Sequence, residues 1–161
     1  MTDEAARGRT DTASRAVRAP VQTIYRALLD PAAVAVWLPP DGMRGKIERF
    51  EAREGGVYRM ALIYEEPSLS TRGKTSASTD IVEGRFVQLV PDERVVQRVE
   101  FESDDPAFAG MMTITWTLAT IPDGTLVTVT CESVPSGISK QDHDKGLRST
   151  LANLAAFTET E

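Results

Sequence analysis

From Met43 to Glu132 the apolar side chains recur at every second position in several segments divided by turns and a polar loop. At Val21 to Leu28 before that stretch and Leu147 to Phe157 after it they recur every three to four. Period two is the repeat of a half-buried strand and period 3.6 that of a helix, so the chain reads as a block of strands flanked by helices. Within the block, Met112, Ile114, Trp116 and Leu118 alternate with Met111, Thr113, Thr115 and Thr117. Val95, Val99 and Phe101 alternate in the same way with Val96, Arg98, Glu100 and Glu102. Such strands are antiparallel, with one face on a core and the other in water.

Turn chemistry divides the block. Met43 to Ala52 and Val57 to Tyr64 flank Arg53-Glu54-Gly55-Gly56, whose paired glycines tolerate positive φ and so predict a hairpin. Residues 65–79, rich in Ser, Thr, Gly and charge, read as a long loop before a strand at Asp80 to Val90. Turns follow at Pro91-Asp92-Glu93 and Pro122-Asp123-Gly124, and Leu126 to Glu132 is the last strand before Pro135-Ser136-Gly137. Ahead of the block, residues 1–9 are polar and aperiodic, as in a disordered tail, and Thr10 to Arg18 reads as a first strand. Pro20 opens a helix with Val21, Ile24, Tyr25 and Leu28 on one face, Asp30-Pro31 breaks it, and Ala32 to Leu38 forms a second short helix stopped by Pro39-Pro40. Behind the block, Lys140 to Thr158 is a long helix with Leu147, Leu151, Leu154 and Phe157 on one face. A twisted sheet with one apolar face needs a cover, and only that helix is long enough. The expected fold is therefore α+β: a curved antiparallel sheet of about six to seven strands wrapped around a long C-terminal helix, with two short helices after strand 1. A single domain over 10–161 accommodates it, and 161 residues leave no room for a second full-sized one.

Composition excludes several classes of function. The net charge of −6 argues against nonspecific binding to nucleic acid or to anionic membranes, both of which need clustered Lys and Arg. The excess lies late in the chain: residues 1–56 carry a net +1 and residues 57–161 a net −7. One Cys cannot form an internal disulfide, and with one His it cannot build a four-ligand Cys/His zinc site. The N-terminal residues lack the apolar segment of a signal peptide, and the longest uncharged run, Pro106 to Pro122, reads as a strand. The expectation is a cytoplasmic protein without a membrane span, a monomer or weak dimer, with no cofactor and no metal.

Ordered along the chain are Ala19-Pro20-Val21-Gln22-Thr23-Ile24-Tyr25-Arg26-Ala27-Leu28, Asp30-Pro31, Trp37-Leu38-Pro39 and Arg53-Glu54-Gly55-Gly56-Val57-Tyr58-Arg59. Gly84-Arg85-Phe86, Pro91-Asp92-Glu93-Arg94-Val95-Val96 and Asp142-His143-Asp144-Lys145-Gly146-Leu147 continue the series. In their order and spacing these segments resemble the START-like, polyketide-cyclase-like (SRPBCC) superfamily, within it the bacterial domains related to the activator of heat-shock-protein-90 ATPase. The resemblance spans roughly residues 10–158 and implies a helix-grip fold, in which the sheet curls around the terminal helix. Two departures stand out. Leu147 stands where many relatives carry Trp, which would alter the cavity floor, and segment 65–79 exceeds a simple hairpin, offering a lid or a partner surface.

Reactive groups are sparse. His143, the one histidine, would have to be the base of any Ser-His-Asp or Cys-His pair, but between Asp142 and Asp144 at a helix start it reads as part of a solvated first turn. Cys131, beside Val129 on an alternating strand, reads as a buried apolar thiol. Arg53-Glu54-Gly55-Gly56 lacks the Lys-Ser/Thr ending of a phosphate loop. Asp92, Glu93, Glu100, Glu102, Asp104 and Asp105 lack the spacing of a calcium loop and read as a solvated sheet edge.

What remains is shape. Trp37, Met60, Leu62, Phe86, Phe101, Met112, Ile114, Trp116, Leu147 and Leu151 are expected between sheet and helix, where they either fill the core or line a pocket for a small apolar molecule, lipid-like or polyketide-like. Tyr58 or Tyr64 would give such a pocket a polar contact, and strand parity leaves the choice between them open. Three functions follow. Binding of a small apolar molecule requires only the fold and a cavity. A cochaperone-like role would act through the surface on a heat-shock-protein-90 type chaperone. A cyclase- or hydrolase-like enzyme would need an acid or base inside the pocket, and no titratable residue is clearly placed there.

Overall fold

The computed structural model describes residues 9–40, 42–64 and 79–159. In chain order these form β1 (Arg9–Val17), α1 (Val21–Leu29), α2 (Pro31–Trp37), β2 (Met43–Phe50), β3 (Val57–Tyr64), β4 (Thr79–Val90), β5 (Arg94–Phe101), a single 3-10 turn (Pro106–Phe108), β6 (Met112–Ile121), β7 (Gly124–Val134) and α3 (Lys140–Glu159). The strands make one seven-stranded sheet in the order β1-β7-β6-β5-β4-β3-β2, each pair of neighbours antiparallel. From β2 to β7 each strand therefore pairs with the next one along the chain. Only β1 and β2, which α1 and α2 separate, lie at opposite edges.

The architecture is the expected α+β helix grip. Pro20 sits at the N-cap of α1, and Asp30 caps α2 by accepting from the Ala32 amide at 3.0 Å with Pro31 in the first turn. Period two places Val95 and Val99 of β5, Met112, Trp116 and Leu118 of β6, and Val127, Val129 and Cys131 of β7 in the core. Breaks in register between Ile47 and Arg49 and between Phe86 and Gln88 add to the curl of the sheet. Gly84 is required where β4 passes β5, because a Cβ there would collide with the Arg98 carbonyl.

α3 lies across the concave face. Its C-terminal half is packed, with Leu151, Leu154 and Ala155 at most 1% exposed, against β1, α1 and α2. Thr150 donates to the Leu38 carbonyl and Asn153 to the Pro39 carbonyl, each at 3.0 Å, which fixes the helix to the end of α2.

Two expectations are corrected. Arg9 belongs to β1 rather than to a tail, and its guanidinium is paired with Asp11 at 2.9 Å. The acidic strand is no edge either, because β5 runs in the middle of the sheet between β4 and β6. On the outer face Glu102 joins Glu48 and Glu83 around the Arg59 guanidinium at 2.7–2.9 Å. Local pattern gives a strand its two faces but not its place in the sheet order. The loop expected over 65–79 lies, except for Thr79, outside the described residues, as do residues 1–8 of the expected tail.

Candidate functional site

Between the concave face and the N-terminal half of α3 lies a cleft of about 590 Å³. Its floor is built by alternation: every second residue of β3, from Tyr58 through Met60 and Leu62 to Tyr64, points the same way, and both tyrosines border the space. β5 contributes Gln97, Val99 and Phe101, β6 contributes Met112, Ile114 and Trp116, and β7 contributes Val129 and Cys131. His143, Gly146, Leu147 and Thr150 of α3 form the roof, with Leu38 and Pro40 beyond α2. Ser139, Asp142 and Lys145, all exposed, stand at the rim.

Of the residues expected between sheet and helix, Met60, Leu62, Phe101, Met112, Ile114, Trp116 and Leu147 border this cleft; Trp37, Phe86 and Leu151 do not. Trp37 is used elsewhere. Its indole Nε1 donates to the Ala27 carbonyl at 2.9 Å, and its ring packs edge-on against Trp116 with centroids 5.4 Å apart. Phe86 is locked into an aromatic cluster with Phe50 and Tyr58, centroids 5.3 and 6.1 Å away. Leu151 lies one turn beyond Leu147, where α3 is already in contact with its packing partners.

The polar groups of the cleft fall in two places. Deep in it, the Tyr58 hydroxyl donates to Met60 Sδ at 3.1 Å, and burial raises its pKa above that of an ordinary phenol. Tyr64 is raised first by burial and then by the charges of Asp80 and Asp142. Burial, and secondarily the charge of Asp11, pushes the Cys131 thiol up to about 12, so it is neither a thiolate nor an activated nucleophile.

At the N-terminus of α3 is the group the sequence reading missed. His143 is not solvated but 15% exposed, and its Nδ1 lies 2.7 Å from Oδ2 of Asp11, whose side chain is fully buried. Burial alone would raise the Asp11 pKa, but hydrogen bonds from Arg9 and His143 outweigh it and hold the carboxyl below its usual value. An ionised carboxylate only accepts, so Nδ1 of His143 carries the donated proton. Lys140 lies 3.6 Å from Asp11 and 3.0 Å from Asp144, completing a charged cluster that ties β1 to the start of α3. The only signal in the sequence was Asp11 itself, a carboxylate inside a strand. Among the described residues, no group of three or more His, Cys, Asp or Glu side chains is placed to hold a metal ion.

The model of the family described as activator of Hsp90 ATPase homolog 1-like protein matches residues 18–159. A crystal structure from Chromobacterium violaceum is similar at 33% identity and a TM-score of 0.84, over 95% of this chain and 99% of that one. The solution structure of an AHSA1-like protein from Aeromonas hydrophila shares the fold at 14% identity and a TM-score of 0.70, over 94% of this chain and 92% of that one. DynU16, a protein encoded in the dynemicin biosynthetic locus, shares it at 20% identity and a TM-score of 0.66, over 94% of this chain but 47% of its own. No curated protein matches the chain.

Proposed function

Because this chain belongs to the activator of Hsp90 ATPase homolog 1-like family, whose START-like fold encloses space between sheet and helix, we propose that it binds a small apolar molecule in the cleft under α3. The observation that carries the reading is the cleft itself. Protein interiors pack as densely as organic crystals, with few voids larger than a water molecule. A cleft of about 590 Å³ that opens to solvent at the start of α3 and reaches the core residues Met60, Val99 and Trp116 departs from that density and lies within the range of small-molecule pockets. Its walls suit an apolar guest. Met60 and Met112 are unbranched and adapt to an outline, while Trp116 and Phe101 offer flat faces.

An enzyme of the cyclase or hydrolase type would need a proton-transfer group at the substrate. The Asp11–His143 pair is the feature such a reading would use, and the tie between β1 and α3 accounts for its geometry. The surface-acting, cochaperone-like role has no feature of its own among the described residues. Native mass spectrometry of the protein taken from the cells that make it tests the binding reading. A retained small molecule, one per chain and released by organic solvent, supports it; the bare chain mass, with no compound raising the melting temperature in a screen of sterol-like, flavonoid, polyketide-like and fatty-acid compounds, contradicts it.

A further inference from the structure

Gln97 is a polar residue in the apolar register of β5. Val95 and Val99 on either side of it are each 1% exposed, and Gln97 itself is 9% exposed. It stands between Phe86 on β4 and Ile114 on β6. It borders the cleft and also a small void of about 20 Å³ shared with Trp37 and Trp116. Other buried polar side chains are paired: Thr125 donates to the Ala19 carbonyl, Thr158 to that of Leu154, and Thr150 to that of Leu38. Gln97 makes no side-chain hydrogen bond among the described residues, and its amide is not one of the fully buried polar atoms, so it opens onto the cleft. An amide carries two donors and a carbonyl acceptor, and a guest that fills the cleft would cut it off from water, which is costly unless the guest pairs with it.

We propose that the occupant of the cleft is not a plain hydrocarbon but carries, at its buried end, an uncharged hydroxyl, carbonyl or amide that pairs with Gln97. The proposal rests on the reading of the cleft as a ligand site. The charge of that polar group follows from its surroundings. Tyr58, Val99 and Trp116, which lie beside Gln97, include no cation to neutralise a carboxylate; the titratable lining groups other than tyrosine and Cys131 are Asp142, His143 and Lys145 at the start of α3 and Asp80 on β4, itself an anion. A buried anion beside Gln97 would be unpaired, so the molecule enters with a neutral polar group leading. A phenol or ketone on a flat apolar body meets these conditions; a fatty acid inserted carboxylate-first does not.

The test uses a matched pair of probes, 2-naphthol and 2-methylnaphthalene, titrated into the whole chain while tryptophan fluorescence is followed. The wild-type protein should bind 2-naphthol roughly ten-fold more tightly, as one net hydrogen bond allows. Gln97→Met, which keeps the length and removes the amide, should reduce that preference to about two-fold or less. Equal binding of both probes by the wild type, or an undiminished preference in Gln97→Met, overturns the role of Gln97 and leaves the cleft as a ligand site. If neither probe binds the wild type, the ligand-site reading itself fails, and this proposal with it.

Discussion

Oδ2 of Asp11 accepts the Nδ1 proton of His143 at 2.7 Å across 132 residues of sequence, and this bond ties the first strand to the start of the last helix. The roof of the cleft is thus held at both ends, by the Asp11 cluster at the N-terminus of α3 and by Thr150 and Asn153 on the end of α2.

The tie makes stability depend on pH in acid. The Asp11 pKa in the folded protein lies below the ordinary value of 3.8, so the unfolded chain binds more protons in that range and stability rises with pH there. The contribution is complete above the unfolded value and is lost as pH falls through the folded one. Arg9, His143 and Lys140 face the carboxylate, and Cys131 lies opposite it on β7. Asp11→Asn should cost about 1 to 3 kcal/mol at pH 7. Urea unfolding between pH 7 and pH 2.5 should then give a flatter acid limb for the variant than for the wild type; parallel limbs would show that Asp11 does not titrate as described.

Trp37 holds the two short helices together through the Ala27 carbonyl. Trp37→Phe keeps most of the ring and leaves that buried acceptor unpaired, so chemical denaturation should show a loss of about 1 to 3 kcal/mol. It should leave ligand binding intact, because Trp37 lies off the cleft.

Leu151 is 1% exposed in the packed half of α3. Leu151→Ala should destabilise the protein by about 2 to 5 kcal/mol. A loss below about 0.5 kcal/mol would mean that the helix is peripheral to the sheet.

An occupied cleft should also stabilise the fold as a whole. A compound present at about 100 times its dissociation constant adds about 2.7 kcal/mol, enough to raise the melting temperature of a domain of this size by a few degrees. Calorimetric scans at increasing ligand concentration check this through a melting temperature that climbs with the logarithm of concentration.

Much of the fold was legible because its signals are local. Pro20 and the stripe from Val21 to Leu28 mark α1, and the alternation from Met112 to Leu118 gives β6 and its inward face. Parity assigns a residue to a face but not to a position along it, which is why Phe86 is inward yet outside the cleft. Gln97 escaped because a polar residue in an apolar register looks like an interruption of the pattern rather than a part of it. The Asp11–His143 contact escaped for a different reason. Its partners are too far apart in sequence for any local period to connect them, and at the start of a helix His143 resembles an ordinary solvated residue.

The most direct test of the cleft as a ligand site is a titration with 1-aminoanthracene, whose emission rises in apolar surroundings. The account predicts saturable binding of one probe per chain, quenching of tryptophan emission from Trp116 as the probe fills the space, and loss of both signals in Met112→Trp, whose larger ring would occupy the cleft while circular dichroism stays that of the wild type. Absence of saturable binding by the wild type, or undiminished binding by a folded Met112→Trp, would contradict it.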